Sequence, residues 1–174
     1  MKFKSAFVMA ILATSLSLTS CSSLKKKGSD AVGDNQDSAS KNGMSKNSGT
    51  SLELNGDSDS NKAGALKSIY FDFNSAGLSQ ESKDALNNNA AFLKTNTSVK
   101  VQVEGHADER GGVQFNLALG EKRAKGVREY LIGQGVEAAR LTTISLGKEK
   151  PVSFGHDEES WSKNRRANFI ITAK

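Results

Sequence analysis

Val99-Lys-Val-Gln-Val-Glu-Gly-His-Ala-Asp-Glu-Arg-Gly-Gly112, with the run from Asn116 to Ile132 that follows it, decides the fold class. Val99, Val101 and Val103 alternate with Lys100, Gln102 and Glu104, the period-2 pattern of a half-buried strand. Gly105, Gly111 and Gly112 mark a loop, and apolar or small residues then recur at 117, 120, 124, 127 and 131, as on an amphipathic helix. Gly133 and Gly135 stop that helix. Upstream, Ser68 to Phe73 is aromatic and alternating, which predicts a strand, and Ser79 is the N-cap of a helix running to about Lys94. Downstream, Thr142 to Leu146 and Asn164 to Thr172 read as strands, separated by a polar loop that holds the only proline, Pro151. Strands alternating with helices predict an α/β chain of the α+β two-layer kind, a mixed four-stranded sheet with helices packed on one face.

That pattern begins only near residue 67. The whole chain has 174 residues, 36% hydrophobic, and a mean hydropathy of −0.48, low for a single compact globule. Residues 67–174 are enough to bury a core without disulfides. Residues 22–66 are rich in Ser, Gly, Asn, Asp and Lys without a period of 2 or 3.6, and read as a disordered tether. Residues 1–20 read as a secretory signal peptide, with Lys2 and Lys4 ahead of an apolar stretch from Ala6 to Leu18. That stretch is too short for a comfortable membrane span of about 20 residues. Leu18-Thr-Ser-Cys21 resembles a bacterial lipobox, which makes Cys21 the lipidated first residue of the mature chain. Ser22 after it resembles the pattern sent to the outer membrane of Gram-negative cells.

The formal charge is +5, but the tether is neutral and residues 67–174 carry only a mild excess with both signs interspersed. This is no nucleic-acid footprint, and export argues further against nucleic acid as a partner. One Cys and two His exclude a disulfide framework and a closed Cys/His metal site, so no metal and no cofactor is expected.

Three segments carry a resemblance: Glu104-Gly-His-Ala-Asp-Glu-Arg-Gly111, Asn116-Leu-Ala-Leu-Gly-Glu-Lys-Arg-Ala124 and Lys163-Asn-Arg-Arg-Ala167, with Tyr70-Phe-Asp-Phe73 ahead of them. They closely resemble the OmpA-like peptidoglycan-binding domain, and with the lipobox and tether the whole chain resembles the peptidoglycan-associated lipoproteins. Phe115 and Lys122 depart from the Tyr and Arg common in the family. The resemblance implies a non-enzymatic protein anchored in the outer membrane by lipid at Cys21, with its head in the periplasm. It implies non-covalent binding to peptidoglycan, and membership of the Tol-Pal system of envelope integrity and cell division, with TolB as a partner. It assigns the diaminopimelate of stem peptides to Asp108 and Arg123, and places Phe71, Asp72, Ala107, Asn116, Leu119 and Arg165 or Arg166 around the pocket.

The residues themselves support such a site. Asp108 lies in a Gly-rich loop just past a strand end, and Arg123 lies two turns inside the next helix at the edge of its apolar stripe. Side chains on a helix tilt toward its N-terminus, so the Arg123 guanidinium reaches back toward the loop. One end of meso-diaminopimelate carries an ammonium and a carboxylate on one carbon; Asp108 would accept the first and Arg123 hold the second bidentately. Arg165 and Arg166 alternate on a strand, so at most one faces the pocket. Duller readings stand beside these. Asp108 and Arg123 could simply pair with each other, Tyr70, Phe71 and Phe73 could be core, and the module could bind only proteins. A hydrolase built on His106-Ala-Asp-Glu109 and His156-Asp-Glu-Glu159 lacks the His-Glu-x-x-His spacing and any recognisable nucleophile.

Overall fold

The computed structural model describes residues 51–174. The expected signal peptide, Cys21 and the tether as far as residue 50 lie outside the described residues. The chain runs β1 (Ile69–Tyr70), α1 (Gln80–Thr95), β2 (Lys100–His106), α2 (Val113–Gly133), β3 (Leu141–Gly147), α3 (Glu158–Asn164) and β4 (Arg166–Ala173). The four strands form one mixed sheet in the order β1-β4-β2-β3, with β2 and β3 parallel and the other neighbours antiparallel. This is the mixed four-stranded α+β architecture that the alternating pattern predicts.

The two long helices cover one face of the sheet. Val101, Val103, Phe169 and Ile171 project from β2 and β4 into a core completed by Leu86, Ala90 and Leu93 of α1 and Val127 and Leu131 of α2. Helix α1 starts where Ser79 accepts a hydrogen bond from the Ser82 amide, as the sequence predicts. Helix α2 approaches β2 so closely that a Cβ on Gly105 would lie 1.8 Å from the Gly120 carbonyl oxygen. That contact fixes the start of α2 against the end of β2, where the site lies.

Several expectations are corrected. The strand expected over Ser68–Phe73 is only two residues long: after the Phe71 amide bonds the Arg165 carbonyl, the chain turns at Asn74, which has φ +52°. Helix α2 begins at Val113, three residues earlier than expected, because Val113, Gln114 and Phe115 are exposed and leave no apolar period to read. The expected polar loop contains α3, capped by Asp157, whose side chain accepts from the Ser160 amide. Consequently β4 begins at Arg166 and not at Asn164.

The expected tether boundary at residue 66 also falls inside packed structure. Leu52 bridges Ala63, and Ala63 and Leu66 are buried in the core. The Asn55 amide donates to Ile171, the Ile171 amide to Gly56 and the Ser58 amide to Phe169. Residues 55–58 thus cover the edge of β4 that two-residue β1 leaves open, satisfying backbone groups that an open edge exposes. The period was invisible because the segment contributes single apolar anchors and main-chain bonds, not an amphipathic face.

Candidate ligand-binding site

Strand β2 carries the site past its end. A register shift between Gly105 and His106 re-aims the chain, and the Ala107 amide continues the ladder to Gly147. Asp108 then turns into a cavity of about 170 Å³, lined among others by Phe73, Ala107, Arg110, Phe115, Asn116, Leu119, Arg123 and Arg165. Cavities of ~150 Å³ admit a molecule the size of benzene, so this one has room for a small chemical group. Three bonds brace the loop: Asn116 Nδ2 donates to the Arg110 carbonyl at 2.9 Å, and Lys148 Nζ donates to the Glu109 and Gly111 carbonyls.

Arg123 is completely buried. Its Nε donates to Ser75 O at 2.8 Å, Nη1 to His106 O at 2.7 Å and Nη2 to Asp72 O at 3.1 Å. A guanidinium has five N–H groups, so one on each terminal nitrogen stays uncommitted. Among the described residues no carboxylate lies within ion-pair distance of it. Burial, helped by the nearby charge of Arg165, pulls its pKa down to about 10. It remains a cation at neutral pH, held by three carbonyls and by the face of the Phe71 ring, whose centre lies 5.0 Å from Cζ.

Asp108 is 4% exposed and held differently. Arg110 donates to it from its backbone amide (3.1 Å), from Nε (3.3 Å) and from Nη2 (2.6 Å), and Arg165 Nη1 lies 3.5 Å away. Burial would raise its pKa, but the hydrogen bonds and charge of Arg110, with Arg165 behind them, hold the carboxyl below its usual range. Arg110 itself is sandwiched, its Cζ 4.0 Å from the ring centres of both Phe73 and Trp161. Glu109 ties the rim to α3, accepting from Trp161 Nε1 at 2.8 Å and contacting His156 Nδ1 at 2.7 Å.

Asp108, Ala107, Asn116, Leu119, Arg123 and Arg165 therefore meet at one cavity, and Asp108 and Arg123 do not pair with each other. Phe71 and Asp72 differ from the rest. Each gives its carbonyl, to Arg165 Nε and Arg123 Nη2 respectively, while the Phe71 side chain is core and both residues line a larger neighbouring cavity. Arg166 points to the opposite face of the sheet and pairs with Asp59. The two histidines stay apart: His106 is fully buried beside Glu104, and His156 is exposed at the rim. Among the described residues no group of His, Cys, Asp and Glu is arranged to hold a metal ion. The sequence reading missed Arg110, Trp161 and Glu158. Arg110 alone had a local cue, standing two residues after an acid in a Gly-rich turn.

The OmpA family model matches residues 70–165. A peptidoglycan-associated lipoprotein of Pseudomonas aeruginosa is 43% identical over 150 residues, covering 84% of this chain and 84% of that protein. One from Legionella pneumophila is 34% identical over 99% of both chains. Among solved structures, the peptidoglycan-associated lipoprotein from Burkholderia pseudomallei matches with a TM-score of 0.58 at 45% identity, covering 60% of this chain and 88% of that one. A fold, a strand-end motif and relatives spanning nearly the full length agree: this chain belongs to the OmpA family.

Proposed function

We propose that this protein binds peptidoglycan non-covalently by gripping the zwitterionic end of diaminopimelate in stem peptides, and so joins the outer membrane to the cell wall. The observation that carries this reading is Arg123, a fully buried cation without a carboxylate partner among the described residues, on the wall of a cavity shared with Asp108. Burying an unpaired charge is costly, and a ligand carboxylate taking its two uncommitted N–H groups offsets that cost. The ammonium on the same ligand carbon would go to Asp108. Relatives named for peptidoglycan association support the wall as the source of that ligand.

In this reading the chain is no enzyme. Cys21 carries the acyl chains, two or more of which anchor stably where one does not. The stretch up to residue 50 is the spacer, and TolB and other Tol-Pal components are the protein partners. Sedimentation with purified sacculi tests the grip: wild type should co-sediment without releasing muropeptides, and Asp108→Asn and Arg123→Met should stay in the supernatant. Co-sedimentation of both variants at the wild-type level would refute the assignment. A pull-down without TolB would remove that partner while leaving the wall grip in place.

A further inference from the structure

The carboxylate meant for the ligand is already taken. Arg110 grips both oxygens of Asp108, yet its side chain is 30% exposed, unlike the fully buried Arg123. We propose that Arg110 is a displaceable internal occupant of the ammonium position, and that it makes the site select a zwitterion over a plain amine. This rests on the diaminopimelate reading above and adds to it a residue that sets specificity.

Three features favour displacement over a fixed salt bridge. First, the guanidinium is stacked between Phe73 and Trp161, so it stays packed between the two rings as it slides off Asp108. Second, a receiving carboxylate is at hand: Glu158 Oε2 lies 3.6 Å from Arg110 Nη2, so a small shift toward the rim exchanges one acid for another. Third, the charges are unbalanced. Arg110, Arg123 and Arg165 line the cavity with the single carboxylate of Asp108, and Glu158 at the rim is shared with Arg165.

That imbalance gives the selectivity. A plain amine entering at Asp108 adds a fourth cation and strands Arg110 with a shared partner. An ammonium with a carboxylate on the same carbon brings its own counter-charge, which pairs with Arg123 and is close enough to meet the released Arg110. Arg110 therefore penalises bare cations and spares zwitterions.

Calorimetric titration of the full-length chain with meso-diaminopimelate and with 1,5-diaminopentane tests this. Wild type should bind the first and reject the second. Arg110→Ala should bind the diamine about tenfold more tightly, the effect of one charged hydrogen bond, while diaminopimelate affinity changes by less than about threefold. Glu158→Gln, which removes the receiving acid, should weaken diaminopimelate binding several-fold. In wild type the Arg110 Nε–H resonance should shift on saturation with diaminopimelate. The inference is overturned if Arg110→Ala leaves the diamine as weak as before, if it loses diaminopimelate as fully as Asp108→Asn does, or if that resonance stays still at saturation. A wild-type chain that binds no diaminopimelate removes the underlying reading, and this inference falls with it; selective binding unaffected by Arg110→Ala removes this inference alone.

Discussion

Arg123 and Arg166 are the two largest fully buried side chains of the described residues, and they are treated in opposite ways. On the sheet face away from α1 and α2, Arg166 meets Asp59 at 2.8 Å, and its remaining nitrogens reach the Lys150 and Asn164 carbonyls. Around it Glu104, Asn168, Ser58 and Ser68 close a polar network supplied by the protein itself. Arg123 has three carbonyls and the Phe71 ring but no carboxylate among the described residues, and opens on a cavity. A buried cation with its own acid is structural. One that lacks an acid, next to a space, leaves room for a carboxylate from elsewhere, which is what the proposed grip uses.

The sharpest way to break this contrast is to remove each guanidinium in turn. Arg166→Met should cost about 3 kcal/mol or more in urea unfolding, because it leaves the Asp59 carboxylate without its partner, while the folded fraction still binds sacculi. Arg123→Met should reverse the balance. It strands three carbonyls but removes an uncompensated charge, so stability falls by only about 1–2 kcal/mol, while co-sedimentation falls at least about tenfold. Equal stability losses for the two would erase the distinction. Asp108→Asn keeps shape and loses charge; binding should fall about tenfold, and the stability that the ionised carboxyl contributes at neutral pH should fall with it. Because Arg110 and Arg165 hold the Asp108 carboxyl low, its contribution to stability is present at neutral pH. It should be intact above the ordinary carboxylate value near ~3.9, decline as pH drops from there, and be gone once pH has passed the lower folded value.

The smallest expected effect lies in the polar network. His106 is fully buried, neither ring nitrogen has a hydrogen bond among the described residues, and the nearest Glu104 oxygen is 3.6 Å away. Burial pushes its pKa below the ordinary value, against the opposing pull of Glu104. The folded state thus binds its proton less readily than the unfolded chain. Stability is intact above the unfolded value near ~6.5 and declines as pH drops from there toward the lower folded value. His106→Leu should flatten that decline in urea midpoints measured across the range; an unchanged slope would place the acid sensitivity elsewhere.

Much of this was legible from local pattern. The valine alternation of β2, the Ser79 cap and the apolar stripe of α2 fixed the layers, and the strand-end position of Asp108 with Arg123 two turns into α2 indicated one shared pocket. The illegible parts depend on contacts across long stretches of chain. Trp161 and Phe73 meet only because Arg110 lies between them, and no period at either position announces it. Asp72 works through its carbonyl, which is the same for every residue type, and Phe71 adds to its own carbonyl a ring under Arg123 that its place in the core conceals. Residues 51–66 looked like tether because what they satisfy is the exposed edge of another strand, which their own composition cannot reveal.

That clipped segment has a mechanical consequence. It joins β4 at Phe169 to Ile171, and Lys174 reaches the Leu52 carbonyl, so tension along the chain from the N-terminal side enters near the C-terminal end of β4. The cavity lies at the other end, where Arg165 leads into the strand. Under the proposed grip, force between membrane and wall runs lengthwise through an interior strand of eight residues, about 25 Å long. Its hydrogen bonds on both sides are then loaded together in shear and do not peel apart one by one, an arrangement suited to a rivet.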